Sequence, residues 1–206
     1  MVAAARAGWL ITAGDDGFPV ATLLPLMWRG SRVIAHMARA NGHHSQIRPG
    51  TPGLIIVTGA QAYVSPSWYP AKAEHGRVVP TWNYTAVHLT GTVTIHDDAD
   101  WVRDAVTDLT DVHERGRCQP WQVSDAPDAY VDAQLRGIVG VEFAISRVEG
   151  KAKLSQNRSV PDQRGVVAGL RADADSGYLH GSAAAQAREL ADQMAETLAA
   201  ATDMRQ

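Results

Sequence analysis

Residues 61–91 interleave Trp68, Tyr69, Trp82 and Tyr84 with Lys72, His75, Arg77 and His88. Rings pack on the face of a flat ligand and cations meet its acidic edge, so this mixture suits a flat, anionic, largely apolar ligand. Pro70 and Pro80 stiffen the segment. The same residues also suit a loop-rich core hairpin whose Tyr and Trp polar atoms are satisfied internally. A second polar concentration, residues 151–159, carries Lys151, Lys153 and Arg158 between a predicted strand and a predicted helix. Such a place can grip a phosphate or a carboxylate, or simply be a solvated connection.

The chain has eight histidines. His36 stands near the end of a β-branched run, where a rigid strand can present one ring nitrogen to a ligand. His88 sits in a strand with Val87 and Leu89 on the opposite face, and can equally be a hydrogen-bonded barrel histidine. His43 and His44 are adjacent in a loop. His75, His96, His113 and His180 read as solvent-exposed. There is no zinc-protease helix, calcium loop, phosphate-binding P-loop, nucleophile elbow or dinucleotide turn. Hydrolase and Rossmann readings have little to rest on.

These side chains need a scaffold, and the pattern supplies one. Short strands are predicted at 9–13, 18–28, 32–37, 53–58, 61–65 and 87–95, with tight turns such as the one at Gly14–Gly17. Such a meander points to a barrel or sandwich. Helices follow. Asp98 caps 99–115, with Trp101, Ala105, Leu109 and Val112 on one face. A shorter helix covers 125–134, and 140–148 is again a strand. Ser159 opens a helix with Pro161 in its first turn. A terminal helix starts at Ser182, with Leu190, Met194 and Leu198 at fourfold spacing. The expected class is α+β in a single domain of residues 1–206. Segments 8–96 and 138–158 form the barrel, 98–136 a helical insertion, and 159–201 the C-terminal helices.

Composition narrows the partners. The 206 residues carry a net charge of -3 and no block of like charge, which disfavours nucleic acid. The lone Cys118 excludes an intramolecular disulfide and a cysteine metal cluster. No apolar run has the length of a membrane span, and the first ten residues are too short for a secretory signal. The expected location is cytoplasmic, without a membrane partner.

Four motifs carry a resemblance: HMARAN from His36 to Asn41, YVSPSWY from Tyr63 to Tyr69, VPTWNY from Val79 to Tyr84, and KLSQNR from Lys153 to Arg158. In this order they resemble the PaiB-type family of FMN-binding transcriptional regulators, over about residues 8–172. The resemblance implies a split β-barrel that dimerises and holds its cofactor at the subunit interface. Two features depart from the family. Its members carry a leading segment before the first strand. They also follow Ala-Arg-Ala-Asn with Pro and, two residues later, Trp, where this chain has Gly42 and His44. His44 is therefore a candidate ligand or gate of this chain's own.

Strand residues 21–28 and the short Arg29-Gly30-Ser31 turn are most similar to one branch of that family, the piperazate synthases of nonribosomal-peptide pathways. That branch uses haem b and cyclises N5-hydroxy-L-ornithine with N–N bond formation. The motifs do not separate haem from FMN. A haem needs an axial donor, apolar walls and cations for two propionates. His36 offers the donor, with His44 and His88 as alternatives, and Trp68 and Trp82 offer walls. Arg39, Lys72, Lys153 and Arg158 serve either propionates or the FMN phosphate. The histidines favour haem, with FMN as the alternative cofactor. Lys72, Tyr69 and His88 are the candidates for proton transfer. Lys72 ranks first and can instead be a propionate partner. Arg39 is the candidate clamp for the substrate carboxylate.

Overall fold

The computed structural model describes residues 5–203, so the first four of the leading residues read above lie outside it. Six strands close a barrel in the order β1-β2-β3-β6-β5-β4. They are β1 Ala7–Ala13, β2 Pro19–Arg29, β3 Arg32–Ala38, β4 Thr51–Val64, β5 Thr81–His96 and β6 Ile138–Lys153. Among the described residues the helices include α1 Ala71–His75, α2 Ala99–Glu114, α3 Asp128–Leu135, α4 Val160–Asp175 and α5 Gly181–Asp203. This is the expected α+β barrel with peripheral helices and a C-terminal helix.

The chain forms two compact units. The first holds the described residues up to Thr58 with Val87–Glu149, and the second holds Gly59–Ala86 with the described residues from Gly150 on.

The core of the first unit follows from strand alternation. On β3, Val33, Ala35 and Met37 are buried with Leu10, Leu89, Val93 and Phe143. Ile34 on the other face packs with Met27 of β2 and with Ala105 and Leu109 of α2. The Asp98 carboxylate accepts the Trp101 N–H and so starts α2 as expected. Two strand glycines allow this packing. A Cβ on Gly91 would lie 2.0 Å from the Ala144 carbonyl oxygen, and one on Gly140 would lie 2.1 Å from the Trp101 ring.

The core of the second unit is built from Val64, Tyr69, Leu154, Val166, Leu170, Leu190 and Met194. Ser159 caps α4 by accepting the Asp162 N–H. Buried Asp162 in turn accepts the Ala71 N–H at 3.2 Å, which ties the start of α1 to α4.

Three strands differ from their sequence reading. β6 runs on to Lys153, so Lys151 and Lys153 lie in the strand rather than in a connection after it. β4 is continuous through Gly59 rather than broken there. Ile55 and Val57 are buried before that glycine, and Ala60, Ala62 and Val64 after it. The burial period shifts phase, and a phase shift beside a glycine looks like a break. β5 begins at Thr81, six residues earlier than read, because Asn83 and Thr85 are buried polar residues that mask the alternation.

Gly91→Ala should force β5 away from β6 and cost about 3 kcal/mol. The check is a lower urea midpoint at unchanged denaturant slope.

Candidate functional site

In the first unit, His36 is half-buried on β3, on the face shared with Ile34. Its Nδ1 is buried and makes no hydrogen bond among the described residues. Burial lowers its pKa from 6.5, and the neighbouring His113 lowers it further. The ring is therefore held neutral, with one nitrogen uncommitted. His113 and His96 are half-buried rather than exposed. His96 stacks on Trp101 with ring centroids 4.0 Å apart. Its Nε2 lies 3.5 Å from Glu142 Oε2, an ion-pair distance without hydrogen-bond geometry.

Arg39 is largely spent on its own chain. Its guanidinium pairs with Asp97 at 2.8 Å and donates to the Arg136 and Ile138 carbonyls. The His44 ring Nε2 is 2.9 Å from the Arg39 carbonyl, which makes it the protonated nitrogen. His88 is half-buried on β5, on the opposite face from core residue Leu89.

Sequence reading gave His43 no role, yet it is the most buried histidine, with 2 % exposure. Its Nε2 is 2.9 Å from Thr12 Oγ1 and its Nδ1 is 2.8 Å from Thr22 Oγ1. Asn41 closes the network: its Nδ2 donates to Thr22 Oγ1 and its Oδ1 accepts the His43 N–H. A neutral ring has one N–H, so one threonine accepts that N–H while the other donates its hydroxyl proton to the bare nitrogen. The HMARAN motif thus ends in a structural staple. Sequence could have signalled it through two threonines at barrel-strand positions with no other partner.

In the second unit, Trp68, Tyr69, Lys72, Trp82, Lys153 and Arg158 all lie within one compact body. Trp68 lies against α4 where two glycines clear space. A Cβ on Gly165 would be 2.0 Å from the Trp68 carbonyl oxygen, and one on Gly169 would be 2.2 Å from its ring. Tyr69 is 2 % exposed, and its hydroxyl is buried without a partner among the described residues. The Arg158 guanidinium lies 4.9 Å from the Tyr69 ring centroid, a cation–π contact. Lys72 Nζ donates to Ser67 Oγ at 3.0 Å. Lys153 Nζ donates to Thr81 Oγ1 and to the Trp82 carbonyl.

The KLSQNR turn is held by its own side chains. Ser155 adopts φ 62°, and Asn83 Nδ2 donates to its Oγ at 2.9 Å. Gln156 bridges the Leu154 N–H and the Ala152 carbonyl. Its Ser, Gln and Asn are thus turn chemistry or solvent-facing, while Arg158 is aimed at Tyr69.

A cavity of about 430 Å³ in this unit is lined by Tyr63, Trp68, Trp82, Tyr178, Leu170 and Asp173, among others. Trp82 Nε1 donates to Gln61 Oε1, also on the lining, at 3.1 Å. Trp68 and Trp82 therefore share one lining. The cations do not: Lys72, Lys153 and Arg158 are not among the lining residues, and the charged one is Asp173. Among the described residues no group of three or more His, Cys, Asp or Glu could hold a bare metal ion. No helix of the described residues is long and apolar enough to cross a membrane.

Residues 1–147 match a protein family described as "Putative FMN-binding domain". The chain belongs to that family. It is 29% identical over 168 residues to the protease synthase and sporulation protein PAI 2 of Bacillus subtilis, covering 80% of this chain and 78% of that one. It is 37% identical over 133 residues to an uncharacterized protein of Aspergillus fumigatus, covering 57% and 51%. The chain thus spans about half the length of that fungal relative. An FAD and haem binding protein from Mycobacterium smegmatis shares the fold at a TM-score of 0.53 and 16% identity, over 77% of this chain and 71% of that one. A flavocytochrome from Azotobacter vinelandii does so at 0.53 and 13%, over 77% and 67%. The architecture is the α+β split barrel that these solved structures share.

Burial depresses the pKa of His43 as well as that of His36. Unfolded imidazoles take up protons near pH 6.5 while these folded ones resist. The stability they supply is complete above pH 6.5 and is lost as pH falls from there through the lower folded values. The urea midpoint should fall from pH 7.5 to pH 5, and His43→Gln should flatten part of that slope.

Proposed function

We propose that this chain is a haem b-dependent cyclase that converts N5-hydroxy-L-ornithine to piperazate. The observation that carries the reading is His36. It is a neutral imidazole with a buried, uncommitted Nδ1, and neutral imidazole is the ligating form. Similarity of residues 21–31 to the piperazate synthase branch supports it. So does the fold, which in other chains is named for haem as well as for flavin.

Family membership favours a second reading, in which the chain binds FMN as a regulator or a flavin oxidoreductase. A flavin phosphate needs converging cationic donors. Here Arg39 is committed to Asp97 and two carbonyls, and Lys153 to Thr81 and the Trp82 carbonyl. Arg158 keeps its guanidinium donors available above the Tyr69 ring and is the best candidate for an acidic ligand group in either reading.

The proposed reaction balances without an oxidant or reductant. An N–N bond forms between the α-nitrogen and the hydroxylamine nitrogen, the N–O bond breaks, and one water leaves. Haem, when bound, supplies a Lewis acid for the hydroxylamine nitrogen. Lys72 is the proposed acid for the departing hydroxyl, since Ser67 is the one partner of its Nζ among the described residues. Tyr69 and His88 are the alternative proton carriers, Tyr69 through its unpartnered hydroxyl.

The active particle on this reading is a homodimer. The outer face of β1 and its neighbours pairs Trp9 with Leu23 on one side and with Ile56 on the other. Trp9 is 44 % and Leu23 54 % exposed, a contiguous apolar stripe of the kind that a partner covers. Leu23→Glu should shift the sedimentation coefficient to that of a monomer. A variant that still sediments as the parent would remove this face from the interface.

The purified protein should show a Soret band at roughly 400 nm rather than flavin bands at roughly 370 and 450 nm. His36→Ala should lose most of that absorbance while keeping its far-UV circular dichroism. Under anaerobic conditions without reductant, the parent should yield a product lighter by one water. Flavin in the native protein, with no such product, would overturn the haem reading in favour of FMN.

A further inference from the structure

We infer that the aromatic cavity of the second unit is a binding site for an organic ammonium cation. Tyr63, Trp68, Trp82 and Tyr178 supply four of its lining residues, and Asp173 supplies the charge. Among the described residues no Lys, Arg or His lines it. Aromatic faces attract cations through the ring quadrupole, and they do so most strongly where water is displaced. The phosphate of FMN and the propionates of haem would meet the Asp173 carboxylate with no compensating cation on the lining. The cavity therefore selects against the acidic edge of either cofactor.

The geometry is held, not incidental. Gly165 and Gly169 clear the α4 surface so that Trp68 lies flush on it. The Trp82 indole is fixed by its N–H bond to Gln61. Beyond α4, the Leu179 N–H and the Ser176 hydroxyl both donate to the Asp173 carbonyl, which folds back the turn that carries Tyr178. The Asp173 carboxylate makes no ion pair or hydrogen bond among the described residues, although acids on α4 and α5 do. Arg171 pairs with Asp192, and Arg188 with Asp175. A half-buried carboxylate beside aromatic walls, left without an internal partner, is the arrangement that an alkylammonium ligand completes. At about 430 Å³ the cavity admits a small-molecule amine rather than a folded segment.

This inference does not rest on the haem reading, because none of the lining residues is the proposed iron donor. The test is isothermal titration of the full chain with choline and with its neutral isostere 3,3-dimethylbutanol. Choline should bind one per chain and at least about tenfold more tightly than the alcohol. Asp173→Asn should weaken choline several-fold and leave the alcohol unchanged. Trp82→Leu, at a half-exposed ring, should weaken choline in a protein that remains folded by circular dichroism. His36→Ala should bind choline as the parent does. No choline binding, equal binding of the alcohol, or full choline affinity in Asp173→Asn would each overturn the site. Loss of choline binding in a folded His36→Ala variant would overturn its independence from the cofactor.

Discussion

The second unit depends on one contact, the seating of Trp68 against a helix face that carries hydrogen where other residues carry a methyl. Gly165 and Gly169 are one helical turn apart, so both gaps lie on the same face of α4. The indole fills the gap at Gly169 and the Trp68 carbonyl the gap at Gly165, so neither can slide without meeting the helix. Glycine inside a helix costs roughly 1 kcal/mol relative to alanine, and here two such costs are offset by burying ring surface. Asp162, one turn earlier, holds the Ala71 N–H, so the Trp68–Lys72 loop is fixed at both ends. The cavity wall, the Tyr69 hydroxyl and the Lys72 stem all take their positions from this arrangement.

Most of the fold was legible because it obeys local rules. The Asp98 and Ser159 caps, the apolar stripe of α2 and the alternation of β3 each follow from residue type and spacing. The errors came where one element changes phase or buries polar groups. β4 shifts its burial period across Gly59, and β5 opens with Asn83 and Thr85 buried. The site was less legible. Trp68 and Trp82, read as walls of one pocket, do share a cavity lining, but Asp173 drew no notice, because nothing in the sequence sets it apart from Asp162 and Asp175 on the same helix. His43 was missed because its partners, Thr12 and Thr22, lie 31 and 21 residues away. Hydrogen-bond networks between strands leave no periodic trace.

Sequence proximity also misled in one instructive respect. Rings along residues 61–91, with cations there and along 151–159, suggested a single surface for a flat acid. Folding sorts them by what each can satisfy. The aromatic rings gather around an acid, Arg158 sits over Tyr69 outside that lining, and Lys153 braces the start of β5 through Thr81 and the Trp82 carbonyl. A long cationic side chain with a backbone carbonyl in reach is consumed as structure before it can act as a ligand. Counting cations near a motif therefore overstates the charge a site can offer.

The staple at His43 restricts how this barrel can diverge. Thr12, Thr22, Asn41 and His43 form a circuit in which both ring nitrogens of the buried histidine have a partner. Replacing Thr12 or Thr22 strands a nitrogen of that ring, and replacing His43 strands the buried Thr12 hydroxyl. Single substitutions are thus uphill from either direction, whereas an all-apolar quartet of equal volume has no such debt. In descendants of this chain the four positions should be inherited as a block, and a lineage that has left the polar solution has no stepwise route back.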